Sequence, residues 1–292
     1  MRNLLLFAAA SLFLFSACDD DDNDVMVQDK LNLNITGLED LGDDYAYEGW
    51  LIVNGKAIST GIFNVNESGA LSQTSFPINS ADLSNAAAYV LTIEPSPDND
   101  PAPSNVHILA GDFSGSKATL SVGHSSALGS DFSSSTGSYI LATPTDGADS
   151  NEKSGVWWLD PSGGPGAGLS LPTLPSGWKY EGWAVIDGVP VTTGKFTSVS
   201  GADDSAPFSG NQAGPPFPGE DFLMNAPTGV TFPTDLAGKT VVISVEPEPD
   251  NSAAPFLLKP LVGMVPADAD DHTLYDMSNN SQATNPTGNV TR

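Results

Sequence analysis

The stretch YEGWLIVNGKAISTGIF, from Tyr47 to Phe63, decides the fold because the chain contains it twice. The second version, YEGWAVIDGVPVTTGKF, runs from Tyr180 to Phe196 at a constant offset of 133 residues, and eight of its 17 positions are identical to the first. Asn54-Gly55 lies in the middle of the first version and Asp187-Gly188 in the middle of the second. Both residues of these dipeptides tolerate the positive φ of a type I′ turn, so each version predicts a β-hairpin.

A second block repeats in the same order farther along the chain. LTIEPSPDNDPAPSNVHILAG, from Leu91 to Gly111, pairs with ISVEPEPDNSAAPFLLKPLVG, from Ile243 to Gly263, and nine of 21 positions are identical. The offset here is 152 instead of 133, so the second copy carries 19 additional residues between its blocks. We place this insertion in the Gly- and Pro-rich stretch from Gly201 to Gly238. Two copies indicate a tandem pair, since a solenoid needs at least about three repeats.

Strand-type and turn-type residues alternate over most of the remaining chain. Tyr89–Ile93 and Val241–Val245 are rich in β-branched residues, and each is followed by Glu-Pro, which favours a strand end. No long stretch shows the 3.6-residue apolar period of a helix. The sequence therefore predicts an all-β fold of two tandem antiparallel β-sandwich modules. We expect residues 30–150 to form the first module, residues 151–265 the second, and residues 266–292 a loose tail.

The aromatic residues fall into two groups. Those of the duplicated hairpins are predicted to fill the cores of the modules: Tyr47, Trp50, Phe63, Tyr180, Trp183 and Phe196. Trp157 and Trp158 are not duplicated, and as neighbours on a strand they must point to opposite faces. We favour packing between the two copies for the ring that points outward. The alternative is a ligand-facing surface, where an outward ring of Trp157 or Trp158 would stack on a sugar.

The first 18 residues predict export and lipid attachment. Leu4–Phe15 is an apolar run of 12 residues behind Arg2, which is typical of a signal peptide and too short to span a bilayer. Cys18 is the only cysteine, and Phe15-Ser16-Ala17-Cys18 resembles the bacterial lipobox. The resemblance implies that residues 1–17 are a lipoprotein signal peptide and that Cys18 is the lipidation site. An ordinary secretory signal is the alternative.

An acidic segment follows the cysteine. Five of the six residues from Asp19 to Asp24 are aspartates, which repel one another, so we expect residues 18–29 to be a solvated tether. An acidic run behind a lipidated cysteine is similar to the surface-export signal of Bacteroidetes lipoproteins. The resemblance implies a cell-envelope protein that is lipid-anchored in the outer membrane and faces outside. A spacer facing the periplasm is the alternative.

Charge and motif content exclude several classes of function. The chain of 292 residues has 10 Lys and Arg against 36 Asp and Glu, a formal net charge of −26, so it would repel nucleic-acid phosphates. A single cysteine excludes intrachain disulfides and cysteine-based metal sites. The chain has no nucleophile elbow and no helical His pair for zinc. We therefore predict no catalytic residues, no metal site and no cofactor.

The Glu-Pro ends of the repeated strands are the remaining candidates for chemistry. Glu94 and Glu246 each precede a proline and a Pro-Asp-Asn turn, and we expect both carboxylates to accept hydrogen bonds from turn N–H groups. A calcium site from Glu94, Asp98 and Asp100 is disfavoured, because Ser252 replaces the third acid in the second copy. Ca²⁺ also needs about six or more oxygens.

The order of short motifs in each copy resembles the extracytoplasmic C-terminal domain of anti-sigma-K factors. In the first copy the motifs are Trp50, Ala57-Ile58, Thr60-Gly61, Phe63, Glu94-Pro95, Ala102-Pro103 and Leu109-Ala110-Gly111. In the second they are Trp183, Pro190-Val191, Thr193-Gly194, Phe196, Glu246-Pro247, Ala254-Pro255 and Val262-Gly263. The resemblance implies a β module outside the membrane. The sigma-binding part of that family is a separate cytoplasmic segment, which we do not expect this chain to have.

These observations predict a non-catalytic, lipid-anchored β protein, and not an enzyme, that binds or scaffolds a protein or glycan ligand at the cell surface. Its other expected partner is the membrane, reached through the N-terminal lipid. A carbohydrate-binding or carbohydrate-active accessory lipoprotein is the alternative, and it would use tryptophans and the carboxylates of the insertion.

Overall fold

The computed structural model of the chain describes residues 27–250 and 252–292. Within these residues the secondary structure is nearly all β, with two short helices, so the predicted all-β class is confirmed. The predicted signal peptide, Cys18 and residues 19–26 of the tether lie outside the described residues. None of the helices that the structure describes is long and apolar enough to cross a membrane.

The first eight strands and one helix lie within residues 28–141. In chain order they are β1 (Gln28–Thr36), β2 (Tyr45–Val53), β3 (Lys56–Phe63), β4 (Ser75–Asn79), α1 (Ser80–Asn85), β5 (Ala86–Pro95), β6 (His107–Ser114), β7 (Lys117–Leu120) and β8 (Thr136–Leu141). The remaining elements are β9 (Gly155–Trp157), β10 (Leu159–Asp160), β11 (Gly166–Ala167), β12 (Leu169–Ser170), β13 (Trp178–Ile186), β14 (Val189–Phe196), β15 (Gly219–Asp221), β16 (Thr240–Pro247), β17 (Leu261–Met264), β18 (Tyr275–Asp276), β19 (Ser278–Asn279), α2 (Ser281–Thr284) and β20 (Thr287–Thr291).

The duplication in sequence is also a duplication of sheet order. The largest sheet has eight antiparallel strands in the order β3-β2-β5-β6-β7-β20-β1-β4. A five-stranded antiparallel sheet has the order β14-β13-β16-β17-β19, and its first four strands correspond in sequence to β3-β2-β5-β6. Two further sheets complete the described strands. One has the order β12-β8-β9-β15, with β18 also paired to β8, and the other is the small pair β10-β11.

The repeated hairpins have the turn that their sequences predict, and each also contains a β-bulge. Asn54 has a φ of 50° and Asp187 a φ of 53°, and the glycine after each is also at positive φ, as a type I′ turn requires. In both hairpins the strand register shifts at one extra residue in the second strand, which is Thr60 in the first copy and Thr193 in the second. The glycine that follows each bulge is at a φ above 110°, a conformation that L side chains rarely adopt.

The main hydrophobic core is continuous and contains side chains of both copies, from Leu31 to Val290. The six duplicated aromatics are all buried, with at most 2% of each residue exposed. In both copies the tyrosine of β2 or β13 stacks on the last phenylalanine of the hairpin, with ring centroids 5.6 Å apart. Such stacked pairs stabilise by roughly 0.5–1.5 kcal/mol beyond the area that they bury.

The strand pairing divides the chain differently from the predicted boundary near residue 150. The eight-stranded sheet takes residues 28–120 together with residues 287–291, whereas β8, at residues 136–141, pairs with strands from the second half. The second half is therefore inserted between two neighbouring strands of the first sheet. Sequence similarity located the repeated hairpins, but it carries no information about which half recruits the residues between and after the copies.

The C-terminal segment is not the loose tail that the sequence predicts. β20 lies inside the eight-stranded sheet, where it pairs with β1 on one side and β7 on the other. Val290 is fully buried, and the Arg292 guanidinium donates to the carbonyls of Leu83 and Ala86 and lies 4.4 Å from the centre of the Phe113 ring. Backbone hydrogen bonds hold this segment in the sheet, so it is ordered in spite of its few apolar residues. A hydropathy pattern does not reveal such bonds, which is why the sequence predicts a loose tail.

The variant Val290→Asp tests the position of β20. A buried carboxylate without a partner at this core position should lower the free energy of unfolding by about 3 kcal/mol or more. The midpoint of urea unfolding should therefore fall sharply. The matched control is Asn289→Asp, a half-buried position on the same strand whose side chain points to the other face. Equal stability of the two variants would mean that the C-terminal segment does not pair as described.

Candidate functional site

Trp157 ends β9 and Trp158 follows it, and the two side chains belong to different hydrophobic clusters, but both are buried. Trp158 is fully buried in the main core, and Trp157 is 4% exposed in a smaller cluster with Phe217. Neither ring is therefore available to stack on a sugar, and the interpretation of these residues as ligand-facing is wrong. Sequence reasoning separated the two rings, but it could not tell that a later segment covers the outer one.

In the second copy, the ring of Trp158 occupies the space that corresponds to that of the Tyr89 hydroxyl in the first copy. A side chain at Gly49 would collide with the hydroxyl of Tyr89, whereas a side chain at the equivalent Gly182 would collide with the ring of Trp158. Val241 stands at the position of Tyr89 in the second copy. The smaller valine leaves room for the indole, so this residue of the segment between the copies completes the second core.

The insertion in the second copy covers Trp157. The indole lies against the backbones of Gly214 and Gly219, where any side chain would collide with the ring. Its Nε1 donates to Asp221 at 2.7 Å, and Thr145 N donates to the other carboxylate oxygen at 2.8 Å. The insertion is therefore folded onto the protein, and its buried acids are engaged by hydrogen-bond donors of the chain.

A chain of hydrogen bonds links tryptophan to glutamate in both copies. Trp50 Nε1 donates to Thr92 Oγ1 at 2.9 Å, and the threonine hydroxyl donates to Glu94. In the second copy Trp183 Nε1 donates to Ser244 Oγ at 2.8 Å, and the serine donates to Glu246. The repeated Trp, hydroxyl residue and Glu thus form one buried unit, which sequence similarity alone did not connect.

The two Glu-Pro carboxylates close the loops that follow their strands. The backbone N–H of Ser104 donates to both oxygens of Glu94, at 2.9 and 3.1 Å, and Phe256 N donates to both oxygens of Glu246, at 2.9 and 3.2 Å. The prediction that these acids accept turn N–H bonds is confirmed. Burial raises the pKa of Glu246 to about 8, against the opposing effect of its hydrogen bonds with Ser244 and Phe256.

A second carboxylate lies on the neighbouring strand of each copy. Glu48 accepts a hydrogen bond from the hydroxyl of Ser59 and Glu181 from that of Thr192, both on the edge strand of the hairpin. Burial raises the pKa of Glu181 to about 7, while its bond with Thr192 and the charge of Lys195 act in the opposite direction. Each copy therefore places two buried acids side by side on adjacent strands.

The copies differ in the charges around these acids. In the second copy, one oxygen from each of Glu181, Glu246 and Asp250 lies within 4.8 Å of the other two. Lys195 Nζ is 3.1 Å from Asp250, whereas Ile62 stands at the lysine's position in the first copy. Asp98 and Asp100 in the first copy accept backbone N–H bonds of their own loop, at 2.9 and 3.0 Å. Asp250 likewise accepts the N–H of Ser252 at 2.8 Å, so the copies differ in the lysine and not in this bond.

A groove of about 470 Å³ runs between the two copies at the Glu-Pro ends of their strands. Its apolar floor comes from both, and its residues include Tyr45, Ile93, Val106 and Phe256. The copies approach closely there, because the Cα of Gly177 faces the backbone of Asn105 with no room for a side chain. The groove exists only where the copies meet, so neither repeat alone indicates it.

The rim of the groove is acidic. Glu39, Asp40, Glu248 and Asp250 lie along it. Burial raises the pKa of Glu39 to about 7, and the charge of Lys259 opposes this shift. Such a site suits a ligand that carries positive charge on an apolar body. The residues from Glu39 to Gly42 were missed by sequence reasoning, because they lie outside both repeated blocks and have no motif.

No protein-family model, curated protein or solved structure matches the chain.

Stability should fall as the pH rises from about 5 to 7. Burial raises the pKa of Glu220, which is fully buried in the insertion, to about 7. Between about pH 4.5 and 7 the folded chain therefore holds a proton that the unfolded chain releases, so the free energy of unfolding decreases with pH. We expect the unfolding temperature to drop by several degrees over this range, measured by circular dichroism.

The variant Glu220→Gln isolates this contribution. It should have a shallower pH dependence than the original chain, because an amide does not ionise. Glu67→Gln, at an exposed position, is the matched control and should keep the original slope. A slope unchanged by Glu220→Gln would contradict the assignment of the proton to Glu220.

Proposed function

We propose that the protein is a non-catalytic, lipid-anchored binding protein of the cell envelope that holds a cationic ligand in the groove between its repeats. The observation that carries the proposal is the lining of this groove, which combines an apolar floor with four rim carboxylates. Pockets that bind ligands are mostly apolar with a few convergent polar groups. The groove combines apolar side chains with convergent carboxylates, and its volume lies in the range of small-ligand sites, about 300–1,000 Å³.

The charge of the rim favours a cation. Of the four carboxylates at the groove, Glu248 and Asp250 form ion pairs with Lys195. Glu39 and Asp40 have no ion pair among the described contacts, and the net charge of −26 adds a long-range field of the same sign. Such a field attracts cations and repels anions before contact is made. A basic peptide segment, with alternating positive and apolar side chains, matches both the rim and the floor.

The buried acids support a binding role over a catalytic one. Glu94 and Glu246 are each engaged by a hydroxyl and by backbone N–H groups of the loop that they close. Their raised pKa values have a structural cause, since these carboxylates hold the loop ends beside the groove. The glycan-binding alternative depended on an outward tryptophan, and with both rings buried no observation favours it.

The proposed location in the envelope rests on residues 1–29 of the sequence. The lipobox-like cysteine and the aspartate run support an anchor and a tether at the start of the chain. The first described strand begins at Gln28, ten residues after Cys18. The likeness to anti-sigma-K factors concerns the β module, and no regulatory role is proposed from it.

Binding of a basic amphipathic peptide tests the groove. A labelled decapeptide of alternating Lys and Leu should bind the purified chain, and its affinity should fall with added salt because the rim is exposed. At about pH 8, above the pKa of Glu39, the double variant Glu39→Gln/Asp40→Asn should weaken binding by about tenfold, since the two charge contacts contribute about 1.4 kcal/mol together. Fluorescence anisotropy would measure the change.

The control for this experiment is Glu67→Gln/Asp276→Asn, which removes the same charge at exposed positions outside the groove. It should bind the peptide as the original chain does. An equal loss in both double variants would show attraction to net charge alone. Equal binding of a decapeptide of alternating Glu and Leu would contradict a cation-selective groove.

The variant Cys18→Ser tests the anchor. Without the thiol no acyl chain can be attached, so the protein should leave the membrane fraction and lose the mass of its acyl groups. Ser11→Ala, a change within the apolar run, should keep both the mass and the membrane fraction. A Cys18→Ser protein that stays with the membrane would contradict the lipoprotein assignment.

A further inference from the structure

The second repeat holds three carboxylates where the first repeat holds a looser set of equivalents. Glu181 lies on β13, Glu246 at the end of β16, and Asp250 in the loop that follows β16. Within the residues that the structure describes, this is the group of acids whose oxygens all lie within 4.8 Å of one another. The equivalents Glu48, Glu94 and Asp98 do not meet this spacing in the described part of the chain.

One oxygen of this cluster has no hydrogen-bond partner. Glu181 is 4% exposed, and its Oε2 is fully enclosed without a donor, while its Oε1 accepts the hydroxyl of Thr192. A buried carboxylate oxygen without a partner is costly, on the order of 1–3 kcal/mol or more for a charged group. A cation placed among the three carboxylates would supply the missing partner.

The lysine beside the cluster does not fill this role. Lys195 Nζ lies 3.1 Å from Asp250 and 3.9 Å from Glu248, and no ion pair joins it to Glu181 among the described contacts. Its side chain is about a quarter exposed, so it can move into solvent. With the lysine turned into solvent, the three carboxylates carry up to three negative charges when ionised, and a divalent cation would offset most of this charge.

We infer that Glu181, Glu246 and Asp250 bind a divalent cation of the calcium type, with Lys195 moving aside as it enters. Further oxygens, from water or the backbone, would complete the roughly six or more that Ca²⁺ takes. Ca²⁺ takes carboxylate oxygens at about 2.3–2.6 Å, so two ligand oxygens on opposite sides of the ion are about 5 Å apart. The cluster's spacing of 4.8 Å or less fits this distance. Mg²⁺ gives up its waters reluctantly and is usually held by one or two carboxylates, so a buried set of three carboxylates suits Ca²⁺ better.

Such an ion would connect β13, β16 and the loop that carries part of the groove rim. Asp250 belongs to both the cluster and the groove lining, so the ion would fix one wall of the groove. The site does not depend on the groove having a ligand. A chain that binds Ca²⁺ and no basic peptide would support this inference and reject the proposed function, and the reverse result would do the opposite.

The test is a titration of the full chain, purified in detergent and stripped of metal with a chelator, with CaCl2. Calorimetry should show one equivalent bound with a dissociation constant between about 10⁻⁵ and 10⁻³ M. At a hundredfold excess over that constant, the unfolding temperature should rise by about 5 °C or more. MgCl2 should give a smaller rise, and an equal rise would overturn the calcium assignment.

The duplication provides a matched control. Glu181→Gln should weaken Ca²⁺ binding by at least about tenfold, since a hydrogen-bonded or coordinated charge contributes about 1.5–3 kcal/mol. Glu48→Gln, the same change at the equivalent position of the first repeat, should leave binding intact. Equal losses in both variants, or Ca²⁺ bound equally well by both, would place the ion elsewhere, for instance on the aspartate run, and overturn the inference.

A third variant keeps the test decisive where Glu181→Gln does not fold. Lys195→Met removes the competing ammonium and keeps an aliphatic side chain, so it should strengthen Ca²⁺ binding severalfold. Weaker binding by Lys195→Met would show that the lysine does not compete with the ion. No heat and no change in its unfolding temperature with 10 mM CaCl2 would show that the cluster binds no Ca²⁺ even without the lysine. Either result would overturn the site.

Discussion

The buried carboxylate at the end of each Glu-Pro strand is the constraint on which the rest of the structure depends. A carboxylate taken out of water must be given donors, and here a hydroxyl on the same strand and a backbone N–H across the loop provide them. The same hydroxyl receives the indole N–H of the signature tryptophan. One requirement thus fixes the tryptophan, the strand end and the loop beyond it, in both repeats.

Where the two copies differ, the differences have structural consequences. Exchange of Tyr89 for Val241 opens space over Gly182, and Trp158 from the connecting segment fills it. The neighbouring Trp157 then faces outward and is covered by the insertion that the second copy alone carries. The tandem pair is therefore not two equal units side by side, because the second copy depends on residues that come before it.

The continuous core and the C-terminal strand also make each half of the chain depend on residues from the other. β20 joins β1 to β7, so the last strand of the chain completes the sheet that the first strand begins. The groove lies where the loops closed by the two Glu-Pro carboxylates meet. Its walls come from both copies, and its position follows from how the copies pack and not from either sequence block.

The sequence by itself determined the hairpins, their turns, the all-β class and the acceptance of loop N–H bonds by Glu94 and Glu246. These features depend on residues close in the chain, such as Asn54-Gly55, whose conformational preferences act wherever the segment lies. Only the tertiary structure decided that Trp157 and Trp158 are both buried, that β20 is a central strand, and that Glu181 meets Glu246 and Asp250. These depend on contacts between residues far apart in sequence, and a backbone hydrogen bond or a covering loop leaves no local pattern that a single sequence could reveal.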